Sequence, residues 1–378
     1  MRVLITGSNG FIGKNLCAHL LAEGFGDLLP YDRQTDPKLL DQYAAACDFV
    51  FHLAGVNRPS GDSGYEENHR FTRDLTESLK KGKRNPPVVM SSSVQARLGN
   101  PYGLSKRKAE NLLLEYGRET GAAIHIFRLP GVFGKWCAPN YNSVVATFCH
   151  NVSRGLPVRV DDPGALIPLV HIDDVLRAFT SVLRGEPGAP SGFCEAGPIH
   201  RITVGELKDT IQSFRDGREN LLLADMGDPL TRKLYSTYLS HLPEDAFGCA
   251  LKEHRDQRGG FAECLKSAAG GQVSVNITKP GMTKGGHWHH TKAEKIVVIS
   301  GSALLRFQKL GDERVLLYPV SSEKLEIVDV PPGYVHDITN TGSSDMVMLI
   351  WASEIYDPEA PDTYPGAIGT PPRGEGKP

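Results

Sequence analysis

Arg2-Val-Leu-Ile-Thr-Gly-Ser-Asn-Gly-Phe-Ile-Gly13 is the stretch whose reading decides the fold of the larger part of the chain. Arg2–Thr6 is a short β-branched apolar run, the pattern of a strand buried on both faces of a parallel sheet. Gly7, Gly10 and Gly13 follow at once, and Lys14–Leu21 then reads as a helix. Glycines at these points let the backbone turn tightly and approach a pyrophosphate, whose charge faces the helix N-terminus. Gly7, Gly10, Phe11, Ile12 and Gly13 are therefore the expected dinucleotide cradle. Leu28–Arg33 is the expected second strand with its end. An acidic residue about 20 positions past the loop takes the adenosine ribose hydroxyls, so Asp32 favours NAD, whereas Arg33 beside it could hold a 2′-phosphate and favours NADP. Cys47–Gly55 reads as a further strand. Asp48 is expected to meet adenine, and Leu53, Ala54 and Gly55 to let the cofactor pass close to the backbone.

Val88–Ser93 is the next strand, and its end carries hydroxyls. Pro101 then opens a long amphipathic helix in which Tyr102 and Lys106, four apart, share a face. A nearby ammonium lowers a phenol's pKa, which gives a tyrosine able to pass a proton to an alkoxide while hydride moves. These residues resemble the extended short-chain dehydrogenases/reductases, in their nucleotide-sugar branch. The resemblance implies a Rossmann domain and a catalytic set of Ser93, Tyr102 and Lys106, with Ser92 the second choice for the serine. Only eight residues separate Ser93 from Tyr102, a shorter loop than the sugar epimerases of that family have. Phe127–Gly134 resembles the family strand that borders nicotinamide, with Arg128 in it. Lys135, Trp136 and Asn140 follow in a run dense in groups able to hold a sugar and its phosphates. Val170–Asp174 resembles the family's substrate-domain strand, with Asp174 expected as a helix cap.

A second centre lies in Gly281–Gly301, G-M-T-K-G-G-H-W-H-H-T-K-A-E-K-I-V-V-I-S-G. His287 and His289 are two apart, so in a strand both point to one face. Glu294 can bend back onto that face, and His336 arrives later in V-P-P-G-Y-V-H. Three imidazoles and a carboxylate suit a divalent first-row metal. Gly281, His287, His289, Glu294 and Gly301 match the first cupin motif. Pro331, Gly333, His336 and Asn340 match the second, although Leu325 stands where that motif usually starts with Gly. Asp256–Glu263 (D-Q-R-G-G-F-A-E) resembles the start of the cupin epimerases that make rhamnose, which implies substrate contacts for Arg258 and Glu263. From Gln272 on, short strands alternate with Gly turns, as in a jelly-roll barrel. The base that would remove a sugar proton stays open among His290, Lys292 and Lys295.

The 378 residues make two domains the natural expectation. The polar, Pro/Gly-marked run Ser236–Cys249 puts the boundary near 245: a reductase domain over 1–245 and a cupin with a Pro/Gly-rich tail over 246–378, the tail from Asp357 extended or disordered. A net charge of −2 gives no reason to expect nucleic acid or an anionic membrane surface as partner. The seven cysteines form no C-x-x-C pair and fit reduced cytoplasmic thiols. No apolar run approaches the ~18 residues of a membrane span, and the strand at the N-terminus leaves no room for a signal peptide.

F-G-K-W-C-A-P-N-Y-N-S-V-V-A-T-F-C (Phe133–Cys149), L-Y-S-T-Y-L-S (Leu234–Ser240) and H-W-H-H-T-K (His287–Lys292) extend the resemblance over nearly the whole chain. They resemble a family of two-domain capsule and O-antigen enzymes. That resemblance implies C3 epimerisation of UDP-2-acetamido-2,6-dideoxy-4-hexulose in the cupin. NADPH-dependent reduction of the C4 ketone in the first domain then gives UDP-N-acetyl-6-deoxy-L-talosamine, a precursor of UDP-N-acetyl-L-fucosamine. It also implies one zinc per chain and a homodimer. Two other readings stay open at this point, a reductase whose cupin only binds, and a metal cupin oxygenase fused to a reductase.

Overall fold

The computed structural model describes residues 1–58, 61–186 and 191–369. The chain forms two compact units, one of residues 1–212 with 227–244, the other of 213–226 with 245 onward.

The first unit runs β1 (Val3–Thr6), α1 (Phe11–Ala22), β2 (Leu28–Tyr31), α2 (Leu39–Ala46), β3 (Phe49–His52), α3 (Glu66–Gly82), β4 (Val88–Ser93), α4 (Pro101–Thr120) and β5 (Ile124–Leu129). Then come β6 (Gly131–Phe133), α5 (Val144–Ser153), β7 (Leu166–His171), α6 (Ile172–Leu183), β8 (Gly192–Cys194), β9 (His200–Thr203), α7 (Val204–Asn220), of which residues from 213 on belong to the second unit, and α8 (Pro229–Leu239). A parallel sheet in the order β2-β1-β3-β4-β5-β8 is its centre. Successive strand residues point to opposite faces. Val3 and Ile5 therefore join the core under α1 and α6, while Leu4 joins the core under α2, α3 and α4. Both faces are covered, which is why these strands are apolar throughout. The chain leaves β1 for β2 on one side and returns to β3 on the other, so a crevice opens at the carboxyl ends of β1 and β3. A small sheet of β6, β7 and β9 completes the unit.

The expected polar bridge from Ser236 is partly helical instead. Asp228 caps α8 by accepting from the Thr231 N–H at 2.7 Å, and Pro229 follows at its first turn. Asp174 is not a helix cap either. His171 holds that position, and Asp174 lies buried in the first turn of α6, taking Lys233 at 2.7 Å and Arg177.

The second unit is all-β. Its elements are β10 (Leu222–Leu223), β11 (Glu253–Asp256), β12 (Gly259–Ser267), β13 (Gly271–Thr278), β14 (Thr283–Trp288), β15 (Glu294–Ser300) and β16 (Ser302–Lys309). They continue with β17 (Val315–Ser321), β18 (Val328–Val330), β19 (Tyr334–Asn340), β20 (Met346–Ala352) and β21 (Tyr364–Pro365). Residues 213–226 join this unit, not the first, because β10 pairs with β12. Two sheets form, β10-β12-β13-β20-β15-β18 with β11 beside β12, and β17-β16-β19-β14-β21. Among the described residues they do not hydrogen-bond round into a closed barrel, so the expected jelly roll is seen as two sheets packed face to face. Ile296, Val298 and Met348 of one sheet meet Leu305, Phe307 and Ile338 of the other in one core. In the tail, Tyr364–Pro365 is an extended strand that pairs with β14, while residues 370–378 lie outside the described residues.

Candidate functional sites

In the first unit the glycine loop is built for close approach. Gly7 has φ +71°, and a Cβ there would sit 2.7 Å from the Ala54 nitrogen. A Cβ on Gly13 would sit 2.2 Å from the Gly7 carbonyl. The N-terminus of α1 thus opens unobstructed into a cleft of about 570 Å³, bordered by Gly7, Gly10, Phe11, Ile12, Gly13, Leu53 and Gly55. This is a cradle that fits a dinucleotide pyrophosphate. Asp32 stands at the mouth of the loop, accepting from the Asn9 amide and, at 2.8 Å, from the Gln34 N–H. Arg33 reaches Glu67 at 3.3 Å, both largely exposed. Asp48 is not brought to this cleft. It precedes β3 at the opposite end of the sheet, where its carboxylate takes the Arg2 N–H at 2.7 Å and the Arg84 guanidinium. Asp48 lies at the amino end of the strand, and only the carboxyl end meets the cleft.

The short Ser93–Tyr102 connection is filled by one 3₁₀ turn, Val94–Arg97. Asn100 then caps α4 through the Gly103 N–H at 2.7 Å, with Pro101 in the first turn. Gly103 lets the turn pack against the helix start, since a Cβ there would be 2.1 Å from the Gln95 carbonyl. Tyr102 is thereby placed where its phenol faces Ser93 and donates to the Asn57 amide oxygen at 3.1 Å. Ser92 faces the other way and donates to Glu110 inside the core. The Lys106 ammonium lies 6.0 Å from the Tyr102 ring centroid and donates to the Ser91 carbonyl at 3.3 Å. The expected lowering of the phenol pKa is not what the geometry gives. Burial pushes Tyr102 up to about 12 against the pull of the Ser93 hydroxyl. Burial also brings Lys106 down to about 8, against the carboxylate of Glu110.

The expected sugar-binding residues separate into two groups. Trp136 is 53% exposed and borders the cleft, so it is not core packing. Lys135 holds Asp173 at 3.3 Å and lies 5.5 Å from the Trp136 ring centroid. Arg128 is turned inward, forming a two-point pair with buried Glu110 at 3.0 and 2.6 Å. Asn140 has φ +58° and donates its N–H to Thr147 at 2.9 Å, outside the cleft lining. Tyr141 and Asn142, which end the Lys135–Asn142 run, border the cleft, and so do Asn57 and Gln95, which sequence reading missed.

In the second unit, His287, His289, Glu294 and His336 each offer a ligand atom, all within 4.8 Å of one another. Gly285 and Gly286 have φ +95° and +75° and carry a bulge in β14, after which His287 lies directly opposite His336 on β19. His289 follows the end of β14, and Glu294 opens β15 on the facing sheet. Glu294 is 3.5 Å from both His289 Nε2 and His336 Nε2. Ligand atoms held at ~2.0–2.1 Å in a tetrahedral shell are ~3.4 Å apart, so the spacing fits one ion. His289 Nε2 is buried with no hydrogen-bond partner, an orphan that a metal would satisfy. Burial, then the neighbouring His336, pull His287 down to about 4, so it stands neutral, the form that ligates. Burial would raise the Glu294 carboxyl, but the facing His289 and His336 hold it well below the usual range.

This cluster opens on a cavity of about 300 Å³ between the two sheets of the unit. Glu263 borders it, bonded to Lys266 at 2.8 Å. Arg258 does not, because its guanidinium closes back on Asp256 at 2.6 Å. Of the three candidate bases only Lys292 borders the cavity, and all three have partners. Lys292 binds the Pro361 carbonyl and Thr363 hydroxyl, both at 2.7 Å, Lys295 pairs with Asp329, and His290 packs on Trp288 and Tyr364. Lys284 was missed. It borders the cavity with its ammonium on the Asn276 side chain at 2.7 Å and the Gly260 and Ile277 carbonyls at 2.9 Å.

Residues 3–192 match the NAD dependent epimerase/dehydratase family, and residues 254–364 the polysaccharide biosynthesis C-terminal domain. The chain is 46% identical over 370 residues to UDP-2-acetamido-2,6-beta-L-arabino-hexul-4-ose reductase of Pseudomonas aeruginosa, covering 98% of this chain and 99% of the relative. The crystal structure of the capsular polysaccharide assembling protein CapF of Staphylococcus aureus superposes with a TM-score of 0.92 at 41% identity, over 97% of this chain and 100% of that one. A CapF structure with the inhibitor 3-isopropenyl-tropolone gives 0.87 at 38% identity, with the same coverage.

Proposed function

The chain belongs to the NAD dependent epimerase/dehydratase family, in its CapF-like branch of nucleotide-sugar enzymes of polysaccharide biosynthesis, and on that footing we propose a two-site reaction on one UDP-linked 4-keto-6-deoxy amino sugar. The second unit, as a cupin, inverts C3. The first unit then reduces C4 with NADPH, giving UDP-N-acetyl-6-deoxy-L-talosamine, the precursor of UDP-N-acetyl-L-fucosamine. The order follows from the ketone. A C–H next to a carbonyl is acidic enough to remove, and reduction destroys that carbonyl.

The observation that carries the reduction is the Ser93–Tyr102–Lys106 constellation beside the glycine cradle. The cofactor, held by the glycine loop with Asp32 and Arg33 at its mouth, supplies the hydride when bound. Ser93 orients the C4 oxygen, and Tyr102 donates its hydroxyl proton to that oxygen as negative charge develops there. The Lys106 ammonium favours the phenolate left behind. In the second unit His287, His289, Glu294 and His336 would hold a divalent ion, proposed as zinc, which supplies Lewis acidity. The tropolone bound by a CapF relative supports this, since its adjacent carbonyl and hydroxyl oxygens form a metal-chelating pair. A homodimer is part of the proposal. Leu325 and Ile327, 67% and 66% exposed, are apolar surface suited to a second copy.

The Pseudomonas relative is named for reduction alone, which favours a second reading in which the β-unit binds without catalysis. One experiment separates the two. Purified protein is incubated with the UDP-4-keto sugar in heavy water, with and without NADPH, and followed by NMR. C3 deuteration without NADPH supports the two-site reaction. Its absence in metal-replete protein that still oxidises NADPH leaves the reductase alone. Chelation should stop the exchange and lower the melting temperature, because a ligand of the native state stabilises it by mass action.

A further inference from the structure

His289 lies just past the end of β14, where no strand ladder fixes it. Its ring is held instead by a residue 73 positions away: His289 Nδ1 is 2.6 Å from the Asp362 carbonyl oxygen. A carbonyl only accepts, so Nδ1 carries the proton. Nε2 is left as a bare lone pair, buried and unpartnered, aimed toward Glu294 and His336. The partner of the far ring nitrogen sets which nitrogen can ligate.

That carbonyl is in turn held in place. The Asp362 carboxylate accepts the N–H groups of His290 at 2.9 Å, Thr291 at 2.9 Å and Lys292 at 2.8 Å, and the Thr291 hydroxyl at 3.1 Å. Asp362 has φ +38°, left-handed backbone that Asp, Asn and Gly tolerate best. In that conformation the side chain grips the loop after His289 while the carbonyl reaches the ring. On either side, the Lys292 ammonium ties down Pro361 and Thr363. Tyr364 stacks on Trp288 at 4.9 Å, and the Gly366 N–H donates to the Gly286 carbonyl at 2.9 Å.

We infer that the strap Pro361–Gly366 positions the metal centre, with Asp362 fixing the tautomer and direction of His289. The inference rests on the metal reading above. It makes Asp362 a positioning residue, one that touches neither ion nor substrate.

The test uses the full chain with Asp362→Ala and Asp362→Asn. Zinc affinity is measured by competition with a chromophoric chelator, metal-free melting by circular dichroism, and the His289 tautomer by ¹⁵N NMR of the metal-free protein. Loss of such a partner costs ~10–100-fold in metal affinity, so Asp362→Ala should weaken zinc by that factor with a wild-type fold. Its His289 should also lose the single Nδ1–H form. Asp362→Asn keeps one acceptor oxygen and tolerates the positive φ, so it should lie between; it carries the test if the alanine variant does not fold. Variants that bind zinc as tightly as wild type and keep the Nδ1–H tautomer overturn the inference. A wild type that takes up no zinc sinks the metal reading alone, and the imidazole signal then decides whether the strap sets the ring.

Discussion

Replacing Arg128 by Met tests whether this arginine serves the sugar, as its strand suggests, or the core, as its geometry shows. Glu110 is 1% exposed and takes two hydrogen bonds from Arg128, at 3.0 and 2.6 Å, plus one from Ser92. Deleting one partner of a buried pair costs ~3–5 kcal/mol, because the other charge is left uncompensated. Here the Ser92 hydroxyl stays on the carboxylate, and the Arg128 side chain is 21% exposed. The expected loss is therefore ~2–4 kcal/mol. For a unit of this size ~2–4 °C accompanies each kcal/mol, so the melting transition should fall by ~4–16 °C. Adding Glu110→Gln should recover part of it, since a neutral replacement of the whole pair is tolerated better than half of it. Thermal and urea unfolding report the stability, and steady-state reduction reports KM. An Arg128→Met protein with wild-type melting and a raised sugar-nucleotide KM would refute this reasoning and return Arg128 to the substrate site.

Tyr102→Phe should lower NADPH oxidation by ~10²–10⁴-fold while C3 deuterium exchange continues, and His289→Ala should abolish exchange while the reductase keeps its cofactor site; NMR and absorbance read both, and loss of exchange in a folded Tyr102→Phe protein would point to one combined site. Arg33→Ala should raise the NADPH KM and spare NADH, because the guanidinium is held by an exposed contact to Glu67; no discrimination by the mutant would return the choice to Asp32. For pH, kcat/KM of reduction should fall as pH rises through about 8, where Lys106 loses its charge, and a flat profile to pH 10 would separate Lys106 from the step. The same group has a stability signature: its folded pKa lies below the ordinary lysine value of 10.5, so between about 8 and 10.5 the unfolded chain binds more protons and this contribution rises with pH.

The sequence by itself determined those features in which spacing along the chain is also spacing in space. The loop of Gly7, Gly10 and Gly13 joins a strand to the helix it precedes, so three glycines suffice to mark a phosphate cradle. Tyr102 and Lys106 are one helical turn apart, and the His/Glu cluster was legible from the spacing of the cupin motifs, although His289 lies past the end of β14 and His336 comes from β19. Tertiary structure alone decided the rest. Asp48 precedes a strand that leads to the cleft and Arg128 sits on one, but which end of a strand meets the cleft, and which side of it meets the core, depends on neighbours far along the chain. β13 shows the same limit in reverse. In Gln272–Thr278 (Q-V-S-V-N-I-T) alternation assigns Val273, Val275 and Ile277 to the interior, yet Gln272, Ser274 and Asn276 are the buried set, because that face lines the cavity between the sheets rather than a packed core. Asp362 falls in the Pro/Gly-rich tail, which the sequence marks only as extended or disordered. Its hold on His289 is a contact across 73 residues, and no local propensity encodes where a strap will close.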